Sequence, residues 1–312
     1  MAINNEKSSS ALKLGQFRVM NFKPTRYLIT PWLPSPGLAM LSAYRGVGKT
    51  WASCGIGLAL ASGTPFLGWV VPEPAKVLYV DGEMSATQMK ERLDAMVSGL
   101  ETEEARGLAD ENFHLLSHEV HDRENGIPNL ASDAGRQLVE AQAEGCALVI
   151  LDNLSCLYAP EHGENDAESW AEMQSWILKL RRAGKCVLIV HHNGKPDANG
   201  HSSQRGTSKR EDILNTSVVL ARRPGMARDR FTWDFTKHRG FTPDNCFQVE
   251  IVDGACLMRV GTDAVEAAKD AEILRMINEG RSIKDIKAQC EVGQDRIKRV
   301  RAERAAALKE AA

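Results

Sequence analysis

The sequence contains no apolar run long enough to cross a membrane. Its most apolar stretch begins at Cys146 and ends after six residues because Asp152 follows, whereas a membrane helix needs about 20 apolar residues. The first sixteen residues also lack the apolar core and the cleavage signature of a signal peptide. These absences predict a cytoplasmic protein that has no membrane partner.

Metal-binding cysteine patterns and an excess of one charge are also missing. The seven cysteines include no CxxC pair and no zinc-ligand spacing, and most of them lie in apolar runs, so most indicate buried free thiols in a reducing cytoplasm. Lysine and arginine number 39 against 41 aspartates and glutamates, which leaves a formal net charge of −2. This balance excludes a uniformly basic nucleic-acid binder, and any affinity for DNA must come from local patches.

What the sequence does contain is enough apolar residues for a large core. Of its 312 residues, 43% are hydrophobic, and the length predicts one large domain with an appendage, or two domains. Continuous apolar runs such as Cys146–Leu151 and Cys186–Val190 alternate with helical stretches as far as Val190. Strands of this kind are covered on both faces, so the pattern predicts an α/β fold with a mostly parallel sheet. Four later apolar stretches predict a mixed or antiparallel extension of that sheet.

A glycine-containing phosphate loop lies between an apolar strand and a helix. Residues Ala43–Thr50 read AYRGVGKT, a P-loop whose first glycine is replaced by alanine. Backbone N–H groups at a helix start bind phosphate oxygens, Lys49 reaches the β and γ phosphates, and Thr50 is suited to ligate Mg²⁺. The residues predicted to bind ATP are Ala43, Tyr44, Arg45, Gly46, Val47, Gly48, Lys49, Thr50 and Trp51.

Carboxylates at two strand ends complete the predicted site. Asp152 follows the apolar run that starts at Cys146, and at this place a P-loop enzyme has the aspartate that holds Mg²⁺ through its water shell. Asp81 and Glu83 close another apolar strand and would lie beside the P-loop, where a carboxylate can polarise an attacking water. We choose Glu83 as the base, because Asp81 follows the strand directly and is suited to the backbone turn or to the metal shell.

Six segments resemble, in order, the RecA-like ATPases of the plasmid RepA-type and DnaB-type hexameric helicase group. They cover roughly residues 30–240 and read PWLPSPGLAMLSAYRGVGKTW, VLYVDGEMS, LVILDNLS, VLIVHHNGK, RGTSKREDILNTSVVL and FTKHRG. The resemblance implies a RecA-like fold, a homo-oligomer that forms a hexameric ring, and single-stranded DNA in the central channel. It also implies that Glu83, the glutamate after the second strand, is the catalytic base.

Two histidines and a polar loop follow the apolar strand that starts at Cys186. We choose His192 as the residue that senses the γ-phosphate, and His191 is the alternative. The next loop, residues 193–206, carries cations but no phenylalanine, tyrosine or tryptophan. In the resembled helicases the equivalent region touches single-stranded DNA, which here would be bound mainly by charge. A surface loop without such a role is the other interpretation.

A Lys-x-Arg pair lies near the end of a later apolar stretch. Lys237 and Arg239 are two residues apart, so on an extended segment their side chains point to the same side. The resemblance implies that they form a finger that reaches the γ-phosphate bound by the neighbouring subunit. Arg205 is a rival for that role, and a solvated basic strand tip is the alternative interpretation.

From about Thr262 the sequence becomes helical and basic. Two short amphipathic helices are predicted over residues 271–280 and 282–290, before a longer third helix, and this arrangement resembles a helix-turn-helix unit. Residues 281–312 contain nine lysines and arginines against five aspartates and glutamates. The helices are predicted either to contact duplex DNA or to pack on the ATPase domain or on a neighbouring protomer.

The predicted organisation is a flexible N-terminus (residues 1–23), a RecA-like ATPase domain (24–262) and a basic helical C-terminal region (263–312). The predicted function is Mg²⁺-dependent ATP hydrolysis coupled to movement on DNA. The protein would be a ring-forming replicative helicase of a plasmid, phage or mobile element. A slow ATP-switched DNA-binding regulator or loader and a recombination or repair accessory ATPase are the alternatives.

Overall fold

The computed structural model describes most of the chain. It covers residues 11–22, 24–120, 128–159, 167–194, 212–223, 226–241, 246–252, 256–260 and 270–301, the last range without residues 271, 291, 293, 295, 296 and 299. Within these ranges, no helix combines the length and the apolar character that crossing a membrane requires.

One large sheet runs through the described part of the chain. Its strands and those of an N-terminal hairpin are β1 (Arg26–Ile29), β2 (Leu33–Ser35), β3 (Gly37–Ala43), β4 (Val77–Asp81), β5 (Phe113–Ser117), β6 (Leu148–Asp152), β7 (Cys186–His192), β8 (Thr216–Ala221), β9 (Arg230–Lys237), β10 (Phe247–Val252) and β11 (Cys256–Val260). The sheet order is β11-β10-β9-β8-β3-β7-β6-β4-β5. Strands β3 to β8 are parallel, and β9 to β11 extend the sheet in antiparallel fashion. The predicted mostly parallel sheet with a mixed extension is confirmed.

Helices cover both faces of the sheet. The described helices are α1 (Leu14–Arg18), α2 (Lys49–Ser62), α3 (Ala86–Ser98), α4 (Glu103–Asn112), α5 (Asp133–Gln142), α6 (Leu154–Leu157), α7 (Ala167–Arg182) and α8 (Ile283–Cys290). Residues 272–278 are helical as well. Side chains of α2, α3 and α4 join one hydrophobic cluster with the sheet, and side chains of α5, α6 and α7 join a second one.

Strand β7 shows why the central strands read as continuous apolar runs. Leu188 and Val190 belong to the cluster that contains α2, whereas Val187 and Ile189 belong to the cluster that contains α7. Because successive side chains alternate between the two faces and both faces are covered, every position from Cys186 to Val190 is buried.

Helix starts follow the capping chemistry of the sequence, with one correction. Ser85 Oγ accepts a hydrogen bond from the backbone N–H of Gln88 (3.3 Å), as its position before α3 predicts. The sequence pattern of Leu130–Ala143 predicts a helix over that range, but α5 begins only at Asp133, because Ser132 caps it and the backbone N–H of Leu130 donates to the Leu157 carbonyl.

Pro31, Pro34 and Pro36 predict an extended segment before β3, but this segment forms the hairpin β1–β2. Trp32 lies at the turn of the hairpin β1–β2 and is buried. Its ring centroid lies 5.6 Å from that of Trp69 and 5.9 Å from those of Trp233 and Phe235. Tilted aromatic pairs of this kind stabilise by about 0.5–1.5 kcal/mol each beyond their burial. The hairpin is thereby anchored to β9.

The side chains of six cysteines are described, and all six are free thiols, as predicted. Cys54, Cys146 and Cys186 are buried, and burial raises the pKa of Cys54 to about 12. Cys246 is exposed.

The C-terminal helices have a hydrophobic cluster of their own. The helical residues 272–278, α8 and the residues after it contribute Ile273, Met276, Ile286, Ile297 and Val300. The backbone N–H of Asp285 donates to Ser282 Oγ (3.2 Å), so Ser282 caps α8 as the sequence predicts. Most of the predicted third helix lies outside the described residues.

Candidate nucleotide site

The P-loop connects the end of β3 to the start of α2. Gly46 has a φ of 74° and Gly48 a φ of 133°, values that side-chain-bearing residues rarely adopt. A Cβ at Gly48 would also lie only 3.0 Å from Cε1 of Phe231 on β9. The loop therefore depends on glycine at both positions, and the first turn of α2 has N–H groups without helical acceptors at the loop.

Lys49 is the first residue of α2, and its ammonium group lies inside the loop. Nζ donates to the carbonyl oxygens of Ala43 (3.2 Å) and Tyr44 (3.4 Å). Burial lowers the pKa of Lys49, and the nearby carboxylates of Asp152 and Glu83 raise it in part. A buried cation is thus held by uncharged carbonyl groups at the place where a phosphate would lie.

The other predicted loop residues differ in exposure. Arg45 is exposed, Val47 is buried, and Thr50 is half-buried. Trp51 is also half-buried, and the guanidinium carbon of Arg92 lies 4.4 Å from the centroid of its ring. A cation over a tryptophan face is an attractive contact, so Trp51 joins the start of α2 to helix α3.

Asp152 ends β6 next to Asp81 at the end of β4, since the two residues are paired in register. The carboxylate of Asp152 is buried; Ser53 Oγ lies 3.0 Å from its Oδ2, and Tyr79 OH donates to the same oxygen. Burial raises the pKa of Asp152, whereas the hydrogen bonds from Tyr79 and Ser53 and the charge of Lys49 lower it. Neither hydroxyl group is among the residues predicted from the sequence.

Asp81 and Glu83 have different surroundings. Asp81 Oδ1 accepts the backbone N–H groups of Glu83 (3.2 Å) and Met84 (3.1 Å), so its carboxylate closes the turn between β4 and α3. Burial raises the pKa of Asp81, and these two bonds lower it. Glu83 is 55% exposed, its Oε2 accepts from Asn153 Nδ2, and it lies 3.5 Å from His192 Nε2. Of the two carboxylates, Glu83 is the one that solvent reaches.

The two histidines at the end of β7 are on opposite faces of the sheet. His192 follows Val190 at a spacing of two and so lies on the α2 face, whereas His191 follows Ile189 on the α7 face. His192 also pairs in register with Ala43, where the P-loop begins. Burial and the charge of Lys49 lower the pKa of His192, and Glu83 raises it. Only His192 is therefore on the face that carries the P-loop.

Lys237 and Arg239 lie at the far end of β9. Lys237 is half-buried, and Arg239 is exposed, with its Nη2 donating to the backbone carbonyl of Asp212 (2.9 Å). Arg205, the rival finger, and residues 195–206 of the predicted DNA-contacting loop lie outside the described residues.

The strand register places this end of β9 away from the P-loop of the same chain. Lys237 pairs with Ser217 of β8, and Ser217 pairs with Met40 of β3, three residues before Ala43. At about 3.3 Å per strand residue, Lys237 stops about 10 Å short of the P-loop along the strands. Arg239 is still further away, because β9 runs antiparallel to β3 and continues in that direction.

The opposite end of β9 does contact the P-loop. Arg222, just after β8, donates from Nη2 to the carbonyl of Val47 (3.4 Å) and from Nε to the carbonyl of Arg230 (3.3 Å). Its guanidinium group therefore bridges the loop and the first residue of β9. The sequence offered no signal for this contact, since an arginine after a strand is common in surface turns.

Comparisons with known proteins give a family match and a similar solved structure. A family model described as an AAA domain matches residues 7–198, more than half of the 312-residue chain. No curated protein matches the sequence. Among solved structures, the crystal structure of the RadB recombinase is similar, with 17% identity and a TM-score of 0.48 over 73% of this chain and 92% of that one.

Proposed function

The chain belongs to the AAA domain family and folds as a RecA-like P-loop ATPase, and from this premise we propose that it hydrolyses ATP with Mg²⁺ to move on DNA as a ring-forming helicase. The observation that supports the proposal is that its charged groups lie at opposite ends of the strands of one sheet. We call these two ends of the strands the edges of the sheet. Lys49, Glu83 and Asp152 lie at one edge, whereas Lys237 and Arg239 lie towards the other.

The residues of the P-loop fit a triphosphate. The described hydrogen bonds of the buried Lys49 ammonium group go to uncharged carbonyls, and a phosphate would supply a negatively charged partner in direct contact. Thr50 and Asp152 would hold Mg²⁺ and its water shell, and the ion supplies positive charge that neutralises the β and γ phosphates.

Glu83 is proposed to take a proton from the attacking water while the water oxygen bonds to the γ-phosphorus. The bond from that phosphorus to the β–γ bridging oxygen breaks in the same step, and Lys49 stabilises the charge left on the departing diphosphate. Asn153 and His192 contact the carboxylate of Glu83, and these contacts hold it in one orientation for the transfer.

The finger is proposed to act on the site of a neighbouring subunit. Lys237 and Arg239 lie away from their own P-loop, so they complete a site only if another copy brings its P-loop edge to them. A contact between two different surfaces of the same protein is heterologous, and repeated copies of such a contact form a ring when the rotation between neighbours closes and an open filament when it does not. A homo-hexamer is the ring that we propose.

DNA is proposed to bind at two places. Single-stranded DNA would lie in the ring channel against the loop of residues 193–206. Duplex DNA would contact the basic C-terminal helices, whose separate hydrophobic cluster supports a unit that presents its own surface. Deleting residues 265–312 is expected to reduce the salt dependence of DNA binding, by about 0.7 to 0.9 in logarithmic slope for each phosphate that the truncated protein no longer neutralises.

ATP hydrolysis with and without single-stranded DNA tests the proposal directly. We expect sustained turnover that single-stranded DNA stimulates, and a hexamer mass by native mass spectrometry in the presence of an ATP analogue. A fully active monomer at the working concentration would contradict the ring.

A slow ATP-switched DNA-binding regulator is the second candidate, and the separate cluster of the C-terminal helices favours it. This function predicts slow turnover, binding of duplex DNA that depends on ATP, and no strand displacement. A helicase displaces a strand at a rate that follows ATP hydrolysis. A gel-based strand displacement assay on a forked duplex distinguishes the two functions.

A further inference from the structure

Two hydroxyl groups hold the carboxylate of Asp152. Tyr79 OH donates to Oδ2 of Asp152, and Ser53 Oγ lies 3.0 Å from the same oxygen. The two hydroxyl oxygens are themselves 2.9 Å apart, so the three groups form a closed triangle. All three side chains are buried, and buried polar groups that lose such a partner do not regain it from bulk water.

The tyrosine is locked in its position by packing. The Tyr79 ring stacks on Phe113, with centroids 5.7 Å apart and planes at 29°. Phe113 in turn lies against Gly57 of α2, where a Cβ would be only 2.7 Å from its Cε2. Glycine at this helix position therefore allows the aromatic pair to lie between α2 and the sheet. This packing of the ring fixes the position of the Tyr79 hydroxyl.

The serine links the same carboxylate to the P-loop. Ser53 lies on α2 one turn after Lys49 and Thr50, and its Oγ is 3.2 Å from the carbonyl of Thr50. Side chains three or four residues apart share one face of a helix. The orientation of Asp152 is thereby tied to the helix that begins with the two loop residues proposed to hold phosphate and metal.

We propose that Tyr79 and Ser53 are positioning residues that occupy Oδ2 of Asp152 and leave Oδ1 to face the Mg²⁺ water shell. A carboxylate oxygen offers two lone-pair sites, and both hydroxyl contacts end on Oδ2. The inference rests on the proposed ATPase function and adds to it the residues that aim the metal carboxylate. Neither hydroxyl contacts ATP in this role; both act through Asp152.

Groups behind direct metal ligands give an upper range for the expected effect, because Asp152 is proposed to hold Mg²⁺ through water. Replacing such a partner costs about 10- to 100-fold in metal affinity. Tyr79→Phe removes one hydroxyl and keeps the ring that stacks on Phe113, so we expect about a tenfold loss. Ser53→Ala leaves the bond from Tyr79 in place, so we expect a measurable loss that is smaller than that of Tyr79→Phe.

The experiment measures the affinity of the full-length protein for a fluorescent ADP analogue, with EDTA and across a Mg²⁺ titration. In Tyr79→Phe, affinity in EDTA is expected to equal that of the unmodified protein, because Lys49 and the loop amides remain. The Mg²⁺ concentration that gives half of the metal-dependent gain is expected to rise about tenfold. Tyr158→Phe is the matched control: it removes another buried tyrosine hydroxyl, from the cluster on the other face of the sheet, and is expected to change neither value.

An unchanged Mg²⁺ requirement in Tyr79→Phe would overturn the inference, as would an equal loss of affinity with and without Mg²⁺. If Tyr79→Phe does not fold, Ser53→Ala decides, and an unchanged Mg²⁺ requirement there overturns the inference. If the unmodified protein gains no affinity from Mg²⁺ at all, the proposed metal-dependent function fails first, which separates that failure from this one.

Discussion

The two edges of the central sheet differ in how their charged side chains are held. At the P-loop edge, Lys49 and Asp152 are buried and hydrogen-bonded to groups of the same chain. At the far end of β9, Arg239 is exposed and its described contact is a single backbone carbonyl. The first edge is organised before any ligand arrives, and the second is accessible to one from outside.

This difference shows which tasks a single subunit completes. Binding phosphate and metal requires groups held in place in advance, and burial with hydrogen bonds provides that at the P-loop edge. A finger that serves another subunit has to remain accessible until the subunits meet. Strand β9 runs from one edge to the other. Phe231, near the start of β9, lies against Gly48 of the P-loop, and Lys237 is the last residue of the strand.

The largest effect on turnover is expected from a substitution at the exposed edge, near the far end of β9. Arg239→Ala should lower turnover about a thousandfold, because a finger arginine stabilises charge that develops only in the transition state. Nucleotide affinity of each subunit should stay the same, as should the melting temperature. Arg182→Ala, which removes an exposed arginine from α7, serves as the control in steady-state assays. Turnover within twofold of the unmodified protein would remove Arg239 from this role.

Substitutions at the P-loop edge distinguish the roles of the Glu83 and Asp81 carboxylates. Glu83→Gln should reduce turnover about a hundredfold or more, since it removes the proposed general base, and should leave ATP binding intact. Asp81→Asn is the matched change; its amide oxygen can still accept the two backbone N–H groups that Asp81 accepts, so turnover should persist. Single-turnover hydrolysis measures both variants, and the reverse result would make Asp81 the base.

Lys49→Ala is expected to weaken ATP binding by about 10- to 100-fold, the range for removing a charge-assisted hydrogen bond. The melting temperature without nucleotide should not fall, because burial lowers the pKa of Lys49 and so disfavours its charged form in the folded protein. Calorimetric titration and thermal unfolding measure the two quantities. A large loss of stability with unchanged affinity would assign Lys49 a structural role only.

The smallest effect concerns the pKa of His192. Burial and the charge of Lys49 lower this pKa, and Glu83 raises it. Glu83→Gln should therefore lower the pKa of His192 further. Glu119→Gln removes another glutamate, which accepts the Ala86 N–H, and should not change it. NMR titration of the imidazole signals measures both. A rise in Glu83→Gln would contradict the contact between the two side chains.

The sign of the pH effect on stability follows from the same pKa. The folded pKa of His192 lies below its ordinary value, so the unfolded chain binds more protons between these two values. Stability from this group is therefore complete above the ordinary pKa and is lost as the pH falls through the window between them. His192→Gln should flatten that part of a stability curve measured with denaturant.

The central strands could be predicted from the sequence because burial on both faces leaves a continuous apolar run. The helix α4 could not, since its buried side chains are only Ala105 and Ala109 and, apart from Gly107 and Leu108, its other residues are charged or polar. The P-loop follows from its residue spacing and the strand-end carboxylates from their position after apolar runs. The position of His192 on the P-loop face follows from the two-residue period of β7.

The contacts that orient those groups could not be predicted. Ser53 and Tyr79 meet Asp152 across 99 and 73 residues, and Asn153 meets Glu83 across 70. Only the folded sheet brings such distant positions together, and a hydroxyl or amide in an apolar stretch has many possible partners. The sequence contains one weak indication that Tyr79 belongs to the site, because it lies two residues before Asp81 and therefore on the same face of β4.

Mixing subunits tests the central claim, that one subunit's P-loop edge is completed by the far end of β9 in another. Arg239→Ala and Glu83→Gln are each expected to be nearly inactive, and the two are co-expressed in one cell. If they assemble at random, about a quarter of the interfaces pair an intact Glu83 with an intact Arg239, and the account predicts ATP hydrolysis well above that of either variant alone. Activity no higher than the mean of the two single variants, in complexes shown by mass to contain both, would contradict it.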